Sequence, residues 1–277
     1  HYPQPRRFYE LADEYGIYIY CEANIEAHGM GYELMKGGTL ANNPDFLKMH
    51  LDRTADMYER CKNFPCVTIL SLGNESGNGY NFYQTYLLLK RREVGNMNRP
   101  VTYERAQWEW NSDIFVFQYP DTGKLHKLGS GGTDRPVITQ EYSYSMGNSN
   151  GALWDQWEEI YRYPNLQGGY IWDWIDQGLY EKTPDGKPYW AYGGDYGVNK
   201  PSDANFCCNG LLAPDRTPHP AMAEVKYAYS NVAFNLEDCS DLNAIKVNVF
   251  NRFFFTSLKG YELIYAILED GKPIRQG

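Results

Sequence analysis

Long apolar runs and Cys-x-x-Cys pairs are missing from this 277-residue sequence, and its Lys and Arg residues form no extended basic patch. The formal net charge is -9, and nucleic-acid-binding proteins usually present a basic face, so we expect no nucleic acid partner. No apolar stretch approaches the roughly 18 to 20 residues that cross a bilayer. The sequence therefore predicts no membrane-spanning segment.

The cysteines give no disulfide framework, because neither Cys-x-x-Cys pairs nor a compact disulfide spacing is found. We expect free thiols, which favours a reducing compartment. The cytoplasm is therefore slightly favoured and the periplasm stays open, since a chain of this size does not need disulfides. The six residues are Cys21, Cys61, Cys66, Cys207, Cys208 and Cys239.

Aromatic residues, by contrast, are abundant, with 25 Tyr, 7 Trp and 12 Phe. Flat amphipathic rings suit both large cores and sugar-binding clefts. The length allows one large α/β domain, or one domain plus part of another, with an ample core.

Two short apolar strands each end at a glutamate. The run from Val67 to Leu72 is apolar on both faces, as in a parallel strand covered by helices, and leads into Asn74 and Glu75. The strand that starts at Val137 is closed by Glu141 in the same way. Because reacting groups in (β/α)8 barrels lie at the C-terminal ends of strands, the pair predicts cleavage of a glycosidic bond.

Six strand-helix units are predicted, with strands starting near residues 17, 67, 101, 112, 137 and 166. The predicted fold class is α/β, a (β/α)8 TIM barrel, and six strands are two short of a closed barrel. From about Asn243 the pattern alternates, which predicts the first strands of a β-sandwich. We expect a partial barrel domain over residues 1–225, and a linker with those strands over residues 226–277.

Helix signals fill the intervals between these strands. The apolar face of residues 8–15 predicts a helix that ends at Gly16. Asn43 and Pro44 predict the start of a second helix, with Leu47, Leu51, Ala55 and Tyr58 on its buried side. The polar, Gly-rich stretch from Pro120 to Gly132 predicts a loop.

Several long motifs, in one order, carry a resemblance to a known family. The sequence resembles a β-galactosidase of glycoside hydrolase family 2 over essentially its whole length. In that family the two carboxylates follow barrel strands four and seven, so the resemblance implies a TIM barrel that lacks its first two strands here. The motifs are Glu22-Ala-Asn-Ile-Glu26-Ala-His28-Gly29-Met30, Ser71-Leu-Gly-Asn-Glu75, Glu141-Tyr142 with Met146-Gly-Asn-Ser149, Trp172-Asp-Trp174, Phe206-Cys-Cys-Asn209-Gly and Asp215-Arg-Thr-Pro-His219-Pro.

The resemblance implies a catalytic role for each of the two strand-end carboxylates. Glu75 matches the general acid/base, and Glu141 matches the nucleophile that forms the glycosyl-enzyme. The implied reaction is a retaining double displacement of terminal non-reducing β-D-galactosides, with carboxyl groups about 5 to 5.5 Å apart. For any single glutamate the alternative is a salt-bridged or helix-capping side chain.

The resemblance also implies two cation sites. Glu26, His28 and Glu75 match magnesium ligands, and two carboxylates suit that hard cation. Glu-x-His alone is a weak metal signal, so a solvated polar loop is the alternative. Phe206 and Asn209 match a Na⁺ site, although a further ligand of that site lies upstream of His1 in the family.

Four residues match the family's sugar contacts. Asn74 matches the amide that hydrogen-bonds the sugar 2-hydroxyl, and Tyr119 matches a tyrosine close to the nucleophile. His1 matches a galactose-site histidine, and Trp172 matches part of the sugar platform. For Tyr119 and Trp172, core packing is the alternative.

Three departures from the family pattern accompany these matches. Tyr144 stands where the family has a sugar-contacting histidine, and a phenol carries no charge at neutral pH, which puts the galactose preference in question. Val116-Phe117-Gln118 replaces Cys-Pro-Met, and Cys21 stands where an aspartate is common.

Other functions stay open at this point. A relative that acts on β-glucuronides or β-mannosides is one alternative, and an inactive carbohydrate-binding fragment is another. The substrate partner is expected to be a β-galactoside or oligosaccharide, and the full-length form is expected to be a homo-oligomer.

Overall fold

The computed structural model describes residues 1–31, 38–147 and 149–277. The chain forms two compact units, His1–Met222 and Ala223–Gly277. Within the described ranges, no helix is long and apolar enough to span a bilayer.

Helices and strands alternate through most of the first unit. The helices are α1 (Arg6–Tyr15), α2 (Leu47–Cys61), α3 (Tyr80–Glu93), α4 (Thr122–Gly131), α5 (Leu153–Arg162) and α6 (Ala221–Ala228), which runs across the unit boundary. The strands are β1 (Ile19–Glu22), β2 (Val67–Ser71), β3 (Val101–Thr102), β4 (Phe115–Phe117), β5 (Val137–Tyr142), β6 (Leu166–Ile171), β7 (Leu179–Lys182), β8 (Pro188–Ala191), β9 (Val232–Asp238), β10 (Lys246–Asn251), β11 (Ala266–Glu269) and β12 (Lys272–Gln276).

The first six strands lie where the sequence predicted them. They form two three-stranded parallel sheets, β1-β2-β3 and β4-β5-β6. In the described ranges the sheets do not close into a barrel, because no ladder joins β3 to β4. The two strands are linked instead through Asp113, whose amide donates to the Val101 carbonyl at 2.7 Å. Its carboxylate accepts from the Val101 amide at 2.7 Å.

Each sheet has its own apolar core on the side that the helices cover. Met57 and Cys61 of α2 and Phe82 of α3 pack against β2 of the first sheet, where Leu70 is fully buried. The second sheet buries Phe115, Phe117, Val137 and Leu166 with Leu125 and Ile160 from α4 and α5.

A third cluster joins the two sheets. Ile114, Val116 and Ile138 are buried, and Ile69 of β2 packs against them. Because alternate residues of a strand point to opposite faces, these side chains lie on the face turned away from the helices. The sheets therefore share an inner layer, as the walls of a barrel do.

The start of β3 is fixed by a buried ion pair. Arg99 Nη2 lies 2.6 Å from Glu93 Oε1, and both side chains are only 2% exposed. Burial opposes the charge, but the hydrogen bonds from Arg99 outweigh it and lower the pKa of Glu93. A buried charge that loses its partner costs several kcal/mol, on the order of 3 to 5, so the pair holds the end of α3 to β3.

Local signals explain where two helices begin and end. Gly16 adopts a left-handed conformation, with φ of 69°, and its amide donates back to the carbonyl of Ala12, which ends α1 as predicted. The Asn43 side chain accepts from the amide of Asp45 and starts the turn that leads into α2.

Two helix predictions need correction. The stretch predicted as a Gly-rich loop contains α4, which begins where the Asp121 side chain accepts from the Lys124 amide at 2.6 Å. The buried face of α2 is rotated around the helix from the predicted one: the predicted Tyr58 lies in it, whereas the predicted Leu47, Leu51 and Ala55 are half-buried. Its members are His50, Thr54, Met57, Tyr58 and Cys61.

The remaining strands form hairpins. Strands β7 and β8 pair antiparallel in the first unit, and the second unit contains the pairs β9-β10 and β11-β12. Asp270 and Gly271 both have positive φ, 48° and 78°, as the turn predicted at this place requires. The β-sandwich itself stays a prediction, because the two hairpins are separate two-stranded sheets.

Candidate active site

The loops that follow β1 and β2 run side by side. The Asn74 amide donates to the Ile25 carbonyl at 2.9 Å, and Glu26 bridges to Asn74. Gly73 makes this approach possible, since a Cβ there would lie 2.6 Å from the Ile25 carbonyl oxygen. The close approach brings the predicted metal loop and Glu75 to one place.

Glu75 is partly buried and contacts side chains from two other loops. Its Oε2 lies 2.8 Å from His28 Nδ1, and its Oε1 lies 3.0 Å from Arg105 Nη2. Its backbone has φ of 39°, a left-handed conformation that is uncommon for residues other than glycine. Such backbone strain clusters at functional sites.

Glu104 and Arg105 follow β3 in a single 3-10 turn. Glu104 Oε1 accepts from the Glu75 amide at 2.8 Å. Burial raises the pKa of Glu104 to about 8, and the Arg105 guanidinium opposes that rise. The sequence analysis did not select either residue, although both follow a strand end.

Glu141 ends β5 and is buried, with φ of 56°. The Tyr119 hydroxyl donates to Glu141 Oε2 at 2.9 Å, and the Tyr119 amide donates to the Glu141 carbonyl at 2.9 Å. Burial, followed by the charge of Glu141, raises the pKa of the Tyr119 phenol. The phenol therefore stays protonated and keeps donating to the carboxylate.

His1 bridges two carboxylates. Its Nδ1 lies 2.7 Å from Glu22 Oε1 and its Nε2 lies 3.1 Å from Glu141 Oε1. Burial lowers the pKa of His1, but the hydrogen bonds and charges of Glu141 and Glu22 outweigh it and raise the pKa to about 10. The ring also packs edge-on against Trp172, with centroids 4.8 Å apart. His1 is therefore a cation that joins the nucleophile candidate to the sugar platform candidate.

Buried polar side chains form the floor between the two glutamates. Ser71 Oγ donates to Glu22 Oε2 at 2.7 Å. Gln140 Nε2 lies 3.3 Å from both Glu22 Oε2 and Asn74 Oδ1. Sequence reasoning missed Glu22 and Gln140 as site residues, and the available signal was a polar residue beside the end of an apolar strand.

Tyr144 lies between two other rings of the site. Its ring centroid is 5.4 Å from that of Tyr119 and 6.0 Å from that of Phe206. The side chain that replaces the family histidine therefore borders the pocket of Glu141. The motif residue Asn148 lies outside the described residues.

The predicted magnesium ligands come together. Glu26, His28 and Glu75 each offer one ligand atom, and these atoms lie within 4.8 Å of one another. Opposite ligands of an octahedral Mg²⁺ ion stand about 4.2 Å apart, from a metal-oxygen distance of about 2.1 Å. The three ligand atoms therefore need to move only slightly closer together to bind one hard cation.

The predicted Na⁺ ligands also lie together. Asn209 Nδ2 donates to the Phe206 carbonyl at 3.0 Å, and Asn209 is fully buried. Its Oδ1 is a buried acceptor for which the described residues supply no hydrogen-bond donor. The unsatisfied Oδ1 suits a cation that prefers oxygen ligands, but the NH₂ group is the part of the amide that faces the Phe206 carbonyl, so the amide would have to turn for both oxygens to bind one ion.

A cavity of about 450 Å³ opens between β1 and β6. His1 and Trp172 line it, together with Tyr20 of β1 and Tyr170 of β6. The rings of Tyr20 and Tyr170 stand 5.2 Å apart. The two predicted sugar contacts therefore border an aromatic cleft.

Comparisons with known proteins identify the family of the chain. The family described as "Glycosyl hydrolases family 2, TIM barrel domain" matches residues 1–234. A β-galactosidase of Vibrio cholerae serotype O1 is 40% identical over 100% of this chain, and one of Oenococcus oeni is 41% identical over 99% of it. The chain spans 27% of the length of each of these curated relatives.

Solved structures support the fold. A Ruminococcus gnavus β-glucuronidase in complex with uronic deoxynojirimycin has a TM-score of 0.58 at 20% identity, over 83% of this chain and 42% of that one. A Faecalibacterium prausnitzii β-glucuronidase has a TM-score of 0.54 at 22% identity, over 82% and 41%. The family match and these fold similarities define a TIM-barrel domain of the glycoside hydrolase class. The chain belongs to glycoside hydrolase family 2.

Proposed function

We propose that the protein hydrolyses terminal non-reducing β-D-galactosides with retention of configuration. The observation that carries the proposal is the placement of Glu75 and Glu141 at the ends of β2 and β5, each in left-handed backbone and each held by other side chains of the site. The β-galactosidases that resemble the chain at about 40% identity support galactoside as the substrate class.

In the proposed mechanism Glu141 attacks the anomeric carbon while Glu75 protonates the leaving oxygen. Glu75 then takes a proton from water, which hydrolyses the glycosyl-enzyme. Tyr119 and His1 hold the two oxygens of Glu141 in place, at 2.9 and 3.1 Å. Donors that are in place before the reaction need no rearrangement during it, which lowers the barrier.

Sugar binding is assigned to the residues around these carboxylates. Asn74 is proposed to bind the sugar 2-hydroxyl, and Trp172 to supply an apolar platform beside His1. Tyr144 is proposed to border the sugar next to Tyr119. A phenol donates one hydrogen bond and carries no charge, so we expect it to tune rather than abolish galactose binding.

A panel of nitrophenyl glycosides tests the substrate class. We expect turnover of the β-galactoside by the full-length protein to exceed turnover of the β-glucuronide and β-mannoside. Product NMR should show the β-anomer first, because two displacements restore the configuration. Preference for another sugar, binding without turnover, or an inverted product would each contradict the proposal.

Glu26, His28 and Glu75 would hold Mg²⁺, and Phe206 with Asn209 would hold Na⁺. Bound Mg²⁺ supplies positive charge beside Glu75. We expect EDTA to lower activity of the full-length protein and added Mg²⁺ to restore it. Unchanged kinetics in the metal-stripped protein would contradict a functional magnesium site.

Two further strands are proposed to complete the barrel between β1 and β6. Each of these strands pairs on one edge only within the described ranges, and the aromatic cleft separates them. We expect residues 1–277 alone to associate through unpaired strand edges and to show little turnover. A monomer by light scattering, with robust turnover, would contradict this. The same measurement on the full-length protein tests the expected homo-oligomer.

A further inference from the structure

The side chains of Glu104 and Arg105 hold Glu75 from two sides. Glu104 accepts from the Glu75 amide at 2.8 Å, and Arg105 Nη2 donates to Glu75 Oε1 at 3.0 Å. Arg105 Nε lies 3.0 Å from Glu104 Oε2, so the two side chains also stabilise one another. A single turn after β3 therefore positions both the backbone and the carboxylate of the acid/base candidate.

Arg105 also contacts Gln118, at the end of the neighbouring strand β4. Arg105 Nη2 donates to Gln118 Oε1 at 3.0 Å, and Gln118 Nε2 donates to Asn74 Oδ1 at 3.1 Å. A guanidinium only donates, so it selects the oxygen of Gln118 and leaves the NH₂ group to face Asn74. The contacts form a continuous chain from Glu75 to Asn74.

This chain determines how Asn74 is oriented. Its Oδ1 accepts from Gln118 Nε2 and, at 3.3 Å, from Gln140 Nε2. Two donors at Oδ1 leave Nδ2 as the group that can donate to a ligand. Asn74 is only 5% exposed, so the alternative amide orientation would place donors against donors in a buried setting.

We propose that Arg105 and Gln118 are positioning residues that fix Asn74 as a hydrogen-bond donor to the sugar 2-hydroxyl and couple it to Glu75. The inference rests on the proposed galactoside hydrolysis. Gln118 stands where the family pattern has Met, which has no N–H to donate to Asn74. The coupling is therefore a property of this chain's own residues, and Gln118→Met removes it with little change in side-chain length.

Hydrogen bonds to the 2-hydroxyl strengthen in the transition state of glycoside hydrolysis. Breaking the contacts of Arg105 and Gln118 should therefore slow hydrolysis of a substrate that carries this hydroxyl and have little effect on hydrolysis of its 2-deoxy analogue. A residue with a merely structural role would affect both substrates to the same extent.

The test compares nitrophenyl β-galactoside with its 2-deoxy analogue in the full-length protein. We expect Gln118→Met to lower kcat/KM for the parent by about tenfold, the order of one buried hydrogen bond, and for the analogue by less than about twofold. Arg105→Lys should not preserve the chain of contacts from Glu75 to Asn74, because an ammonium lacks the planar fork of Arg. Gln167→Met, on the exposed surface of β6, is the matched control and should leave both rates unchanged.

A double variant tests whether the two residues act as one unit. The measured quantity is the ratio of kcat/KM for the parent galactoside to kcat/KM for its 2-deoxy analogue. Combining Arg105→Met with Gln118→Met should lower this ratio no further than the single variant with the larger effect does. Two results would overturn this inference and leave the proposed function intact. One is an equal loss of rate on both substrates in a folded Gln118→Met protein, and the other is a double variant whose effect equals the sum of the two single effects. A wild-type protein that hydrolyses no galactoside would overturn the proposed function and the inference with it.

Discussion

The two carboxylates of the site are held in different ways. Glu75 contacts His28 and Arg105, which come from two loops, and the side chain of His28 is 59% exposed. Glu141 contacts Tyr119 and His1, and the side chains of His1 and Glu141 are only 13% and 11% exposed. Glu75 thus has a solvent-exposed imidazole as one partner, whereas Glu141 is held by a buried imidazole and by the phenol of Tyr119, which is itself 43% exposed.

The difference matches the separate tasks of an acid/base and a nucleophile. A group that exchanges a proton with the leaving oxygen and with water benefits from access to solvent and from neighbours that can move. A group that forms a bond benefits from fixed geometry, because small displacements of the attacking atom are costly. The environments, and not the shared residue type, distinguish Glu75 from Glu141.

The strongest test of this distinction is Glu141→Gln. An amide cannot attack the anomeric carbon, so we expect kcat to fall by at least about 10⁴-fold for every glycoside, whatever its leaving group. Steady-state rates with aryl galactosides and lactose measure this. The control is Glu158→Gln on the exposed face of α5, which should keep normal rates. A Glu141→Gln protein within tenfold of wild type would remove Glu141 from the mechanism.

A smaller and selective effect is expected for Glu75→Gln. Loss of a general acid costs roughly 10² to 10⁴-fold, but an activated leaving group needs little protonation. Lactose should therefore lose more rate in its first step than a dinitrophenyl galactoside. Single-turnover kinetics separate that step from hydrolysis of the intermediate. Equal losses for both substrates would show that Glu75 is not the acid and would end the contrast with Glu141.

Local sequence patterns predicted most of the elements that carry this site. Runs of β-branched and apolar residues located β2, β4 and the start of β5, because a strand covered by helices is apolar along much of its length, whereas β6 was located although Gln and two Gly interrupt it. Glu75 and Glu141 followed from their position after two of these runs. Their catalytic roles stay predictions.

Elements that depend on packing were harder to predict. The three glycines at positions 129, 131 and 132 indicated a loop, but the Asp121 cap and the burial of Leu125 against the second sheet stabilise α4. The buried face of α2 was only partly predicted, because the positions of α3 and β2 decide which side of the helix is fully buried, and the apolar pattern of one helix does not contain those positions.

The partners of the catalytic candidates could not be predicted from spacing. Arg105 and Gln118 belong to different strand ends; Arg105 contacts Gln118, and Gln118 contacts Asn74, which is distant in the chain. Hydrophobic periodicity contains no information about such contacts. Only the departure of Gln118 from the family pattern marked it in advance.

The smallest effect concerns the pH dependence of stability on the Glu141 side. The pKa of His1 is raised from 6.5 to about 10 in the folded protein, so its ion pairs contribute fully to stability below about pH 6.5. That contribution is lost as the pH rises through 6.5 toward 10, where the folded protein also releases the proton. We therefore expect His1→Gln to lower the free energy of unfolding by up to a few kcal/mol near pH 6, and by much less near pH 10.

Urea midpoints of both proteins, followed by Trp fluorescence at each pH, measure the difference. His126→Gln, at a site whose His side chain is 54% exposed, is the control and should show a much weaker dependence. A destabilisation that stays constant from pH 6 to 10 would show that His1 contributes through packing against Trp172 and not through its charge.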